Sequence, residues 1–85
     1  MMFNEPTMRY LVMRNEQYVE GGEHWNALVE AGLDPRENWV LSWSFADLDR
    51  AMDRYQYEIT DGVYANSSYA SWGVYDSETN EFVVR

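Results

Sequence analysis

The apolar positions of this 85-residue chain change period several times, and each change marks a predicted element. Met8 to Arg14, MRYLVMR, is apolar on both parities and rich in β-favouring residues, which predicts a strand buried on both faces or central in a sheet. Asn15 and Glu16 then supply a turn into a second short strand, Gln17 to Glu20, before Gly21 and Gly22 break the chain. From Glu23 to Ala31, EHWNALVEA sets Trp25, Leu28 and Val29 on one helical face, with Gly32 as the C-terminal cap and Pro35 beyond it. A helix of about two to three turns is marginal in isolation, so tertiary packing is expected to hold it.

Asn38 to Phe45, NWVLSWSF, alternates: Trp39, Leu41, Trp43 and Phe45 fall on one side, and Val40, Ser42 and Ser44 on the other. This predicts a strand with both tryptophans turned into the packing face. Ser44 is placed to cap the following helix, with Asp47 three residues on as a short capping box. Phe45, Leu48, Met52, Tyr55 and Ile59 then form one apolar stripe of an amphipathic helix that Gly62 closes. Asp47, Asp49, Arg50, Asp53, Arg54 and Glu58 fill the remaining positions as its solvated face.

Residues 60–73, TDGVYANSSYASWG, connect that helix to the next strand. Tyr69 to Tyr75 alternates around Trp72 and Val74, DSETNE at 76–81 supplies turn residues, and Phe82, Val83 and Val84 return, which predicts a β-hairpin. The order of elements implies an α+β fold: one small domain over residues 1–85, a mainly antiparallel sheet of four to five strands with two helices packed on one face.

Composition narrows the function classes. With 46% hydrophobic and 16% aromatic residues the chain is too apolar for intrinsic disorder. It contains no cysteine, which excludes disulfides, thiolate zinc sites and thiol nucleophiles. The first ten residues lack the pattern of a secretory signal, and no apolar stretch approaches membrane-spanning length, so a cytoplasmic location is expected. Fifteen acids against six cations, all arginine, give a net charge of -9. Direct binding to nucleic acid or anionic lipid is therefore disfavoured, and a basic partner is favoured. The charge is spread: residues 1–37, 47–61 and 62–85 carry -4, -3 and -2, so the negative field belongs to the folded body.

Motif-bearing chemistry is scarce. His24 is the sole histidine, with no nucleophile-elbow pattern to join it, and reads as a surface residue. Asp47 lies about 200° around the helix from Asp49, and Arg50 and Arg54 interleave, so these acids form a solvated face rather than a metal cluster. DSETNE begins like a calcium loop but has Glu81 where such loops need Gly, which leaves a hairpin turn as the simpler reading. No phosphate-binding glycine pattern is present, and neither a cofactor nor a metal is expected.

A non-enzymatic interaction protein remains, with two candidate contact surfaces. One is the row Asp49, Asp53, Glu58 and Asp61; carboxylates one helical turn apart are spaced about 5 to 6 Å, comparable to phosphates along a strand. The other is the loop, where Tyr64 and Tyr69, with Tyr57 beside it, are mixed with Gly, Asn and Ser as in evolved binding loops. The same tyrosines also suit a lid over the core with hydroxyls reaching water.

The expected function is inhibition of a basic protein, one that processes nucleic acid, through its nucleic-acid-binding surface. In size and charge this is similar to the small acidic phage proteins that disable restriction, CRISPR or repair enzymes. The alternatives are a small-ligand or peptide-binding module built on the Tyr and Trp side chains, and an assembly subunit that buries them in an oligomer, a dimer being the simplest case. Acidity alone also serves solubility or adaptation to salt.

Overall fold

The structure, a computed structural model, describes residues 8–67 and 70–85. Strand β1 (Tyr10–Glu16) is followed by helix α1 (Glu23–Glu30), strand β2 (Trp39–Phe45), helix α2 (Leu48–Thr60), and strands β3 (Ala70–Asp76) and β4 (Glu81–Val84). The four strands form one antiparallel sheet in the order β2-β1-β3-β4, so the domain is α+β. β1 is central, as its two-sided apolar pattern requires: Leu11, Val12 and Met13 are all fully buried. Residues 17–20 form no strand; β1 continues through Asn15 and Glu16 instead, because both pair with β3 and Asn15 also pairs with β2.

Among the described residues only α2 lies on the sheet; α1 packs on none of its strands. Val12, Ala51, Trp72 and Val74 form the buried cluster, with Tyr10, Phe45, Leu48, Met52, Tyr55 and Val84 packed around it. Ala51 sits at the centre, where a small side chain lets helix and sheet approach closely. Among the described residues α1 buries none of its own. Its first turn is held by aromatic contacts: Tyr18 stacks on His24 at 5.2 Å, and Arg36 lies over Trp25 at 5.5 Å. Gly32 follows it with φ +79°, the left-handed position that a helix stop requires.

Two local expectations change. Asp47, not Ser44, stands at the start of α2, without a side-chain capping bond, because Ser44 and Phe45 are taken into β2 opposite Leu11 and Tyr10. β2 also does not keep four apolar residues on one side. Its register against β1 shifts at Ser42, so Trp43 and Phe45 share the face of Val12 and Tyr10, while Leu41 and Trp39 share that of Met13 and Asn15. On that second face Trp39 from one edge meets Phe82 from the other at 4.7 Å, and Phe82 meets Tyr75 at 5.2 Å.

The β3–β4 turn is the hairpin that its composition predicts, with Asn80 at φ 59° closing it. Asp76 fastens this turn to the start of β1: Arg9 Nε and Nη2 donate to its two oxygens at 3.0 and 2.9 Å, and the Glu78 backbone N–H donates to Oδ1 at 3.0 Å. The Arg9 hydrogen bonds, helped by the backbone donors and opposed by desolvation, lower its pKa from 3.8 to about 2. A depressed carboxylate stabilises the fold above its unfolded value and loses that contribution as pH falls through the folded one. Thermal melts of wild type and Asp76→Asn are therefore expected to differ most near neutrality and to converge between about pH 4 and pH 2. A constant difference across that window would count against the clamp.

Candidate functional site

α2 presents two different faces at its C-terminal half. Asp49 and Asp53, one turn apart, point to solvent and have no ion-pair partner among the described residues. Asp61, at the C-cap, is also exposed and accepts a hydrogen bond from Thr60 Oγ1 at 3.2 Å. Glu58 does not belong to this row. It stands about 140° around the helix from Asp53, on the same side as Ala51 seven residues earlier, and is only 6% exposed. Its Oε1 lies 2.8 Å from Arg54 Nη2 in an ion pair, so Arg54 brings the countercharge that burial demands.

The chain after α2 turns back over this buried carboxylate. Gly62 N–H donates to Tyr57 O at 2.9 Å, and a Cβ on Gly62 would come within 2.5 Å of Glu58 Oε2 and 2.9 Å of Glu58 backbone atoms. Only glycine fits against the glutamate there. Two further turns, Ala65 N–H to Gly62 O and Ser67 N–H to Tyr64 O, both 3.1 Å, fold residues 62–67. They leave Val63 95% exposed and Tyr64 42% exposed.

Between this loop, the end of α2 and β2 lies a hollow of about 360 Å³, lined by Arg14, Trp43, Glu58, Val63, Tyr64 and Trp72, among others. Its walls are built around stacked guanidinium groups. Arg14 is paired with Glu16 and lies 4.5 Å over Tyr64 and 6.0 Å from the Trp72 ring. Arg54 lies 4.1 Å over Trp43 and 4.9 Å from the Tyr57 ring. Trp43 and Tyr57, 45% and 48% exposed, keep open ring surface. Trp72 is nearly sealed, and neither its Nε1 nor Arg54 Nε, both shut off from solvent, finds an acceptor among the described residues.

The structure thus brings Glu58 and Tyr64 to one hollow and leaves Asp49 and Asp61 outside it, while Tyr57 and Asp53 line a separate one with Phe45, Arg50 and Arg54. Tyr64 faces the rim, packed on Arg14. Tyr69 lies outside the described residues. Arg14, Trp43 and Trp72 are the members that the sequence reading did not single out; the spacing of Arg54 and Glu58, four apart, was the available signal for a buried pair.

All six cations being arginine also has a physical role here. Arg9, Arg14, Arg36, Arg54 and Arg85 each lie over an aromatic ring, within 4.1 to 6.0 Å, and a planar guanidinium stacks where an ammonium does not.

A larger hollow of about 440 Å³ beside α1, lined by Gln17, Tyr18, Val19, Gly22, Glu23 and His24, has almost wholly apolar walls. Among the described residues no group of three potential metal ligands converges, and no helix is long and apolar enough to cross a membrane. No protein-family model, curated protein or solved structure matches the chain.

Proposed function

We propose that this chain is a non-enzymatic inhibitor, acting in the cytoplasm, that docks on the basic nucleic-acid-binding surface of a partner protein in the manner of the small acidic phage proteins. The observation that carries this reading is the distribution of charge pairing. Five of the six arginines, Arg9, Arg14, Arg50, Arg54 and Arg85, are ion-paired within the chain, and the sixth, Arg36, is stacked on Trp25. Asp49, Asp53 and Asp61 keep their charge for the outside, and Asp49 and Asp53, one helical turn apart, are spaced like strand phosphates.

The test uses the immobilised protein and extract from its host. A captured partner is expected to be released by double-stranded DNA and by raising salt from about 50 to 200 mM, since the contact replaces phosphate contacts. The triple variant Asp49→Asn, Asp53→Asn, Asp61→Asn should lose the capture. Retention of the same partner by that variant, or indifference to both DNA and salt, sinks the proposal.

A further inference from the structure

Glu58 lines the hollow with its charge paired to Arg54 through Oε1. Its other oxygen, Oε2, receives no hydrogen bond from any described residue and is not among the atoms sealed from solvent, although the residue as a whole is only 6% exposed. A carboxylate oxygen in that position gains free energy when a donor reaches it. The rings around it already show which donor they suit: Trp43 holds the guanidinium of Arg54, and Tyr64 holds that of Arg14. Both rings remain nearly half exposed, so each keeps surface for another group.

We propose that the hollow receives an arginine side chain of a basic protein partner, its guanidinium donating to Glu58 Oε2 and lying against the exposed surface of Trp43 and Tyr64. The inference rests on the acidic-docking reading and names the residue that the partner contributes. Arginine fits better than lysine because a planar cation stacks on rings and donates to a carboxylate at once. Glu16 neutralises Arg14, and the -9 charge of the chain keeps the surroundings attractive to a cation.

N-acetyl-arginine amide titrated into the protein, followed by nitrogen–proton correlation spectra and tryptophan fluorescence, tests this. Saturable shifts with a millimolar Kd are expected, largest at the Trp43 indole N–H and the Tyr64 amide, and about tenfold weaker in Glu58→Gln and in Tyr64→Ala. N-acetyl-lysine amide should bind several-fold more weakly. Glu58→Gln also disturbs an ion pair of α2, so Tyr64→Ala, at an exposed loop position, is the variant that keeps the fold intact. Absence of saturable shifts, equal binding of both amides, or shifts unaltered in Tyr64→Ala overturns the proposal. The acidic-docking reading fails separately: the triple variant of Asp49, Asp53 and Asp61 should bind the amide as wild type does.

Discussion

Trp72→Ala is expected to remove a large share of the stability of the fold at ambient temperature. Truncation of a buried tryptophan costs about 3 to 5 kcal/mol, and a domain of this size has a total stability of roughly 4 to 13 kcal/mol. Trp72 belongs to the cluster that joins α2 to the sheet, with Val12 and Val74 beside it and Ala51 across from it. Among the described residues α1 adds no buried side chain to this cluster. Trp72→Phe separates ring from N–H. Among the described residues the indole N–H is sealed without an acceptor, so its removal forfeits no hydrogen bond with them and relieves a desolvated donor. The phenylalanine variant should therefore lose only about 1 to 2 kcal/mol, mostly from the smaller ring. Chemical denaturation of both variants checks this; a phenylalanine variant as damaged as the alanine one would mean that the N–H has a structural partner.

What could be read from the sequence depended on whether local chemistry or long-range pairing decided the outcome. β1 was legible because apolar residues on both parities have only the middle of a sheet to occupy, and the β3–β4 hairpin because Asp76, Ser77 and Asn80 each favour the turn for their own reason. The faces of β2 were not legible. Its alternation was read as unbroken, but the register shift at Ser42 is imposed by β1, some thirty residues away in the chain, and nothing in NWVLSWSF announces it. The start of α2 failed for the same reason, since sheet pairing of Phe45 with Tyr10 outweighed a plausible cap at Ser44.

In the candidate site the misplaced residue was Glu58. A glutamate on an amphipathic helix is assigned to water by default, yet Glu58 is seven residues from Ala51 and so lies on the helix side that faces the sheet. Arg54, four residues earlier, makes the burial tolerable, and Gly62 makes room for it. In the sequence the acidic face and the aromatic loop stand as two separate candidate surfaces. Glu58 belongs to the hollow beneath the loop, while Asp49 and Asp53 stand about 180° and 140° around α2 from it, so the two surfaces lie on different sides of the helix.

Gly73→Val should lower the melting temperature by roughly 10 °C or more, against the ordinary preference of strands for valine over glycine. Gly73 is opposite Met13 in the middle of the sheet, on the face that carries no helix. A Cβ there would stand 2.8 Å from Val84 O, 3.0 Å from Arg85 Cβ and 3.1 Å from Phe82 Cδ1. The nearest atom is backbone, so β4 must retreat. That retreat breaks the stack of Phe82 with Trp39, the contact through which the two edge strands cover Met13. Valine adds two methyl groups to the same clash, and overpacking of this kind costs about 1 to 3 kcal/mol. In a domain of this size each kcal/mol moves the midpoint by about 4 to 8 °C. The loss should fall in the hairpin first: hydrogen exchange is expected to accelerate at the β3–β4 amides while β1–β2 amides stay protected. A melting point within about 2 °C of wild type would show that β4 yields without cost and that the glycine is not needed for its close approach.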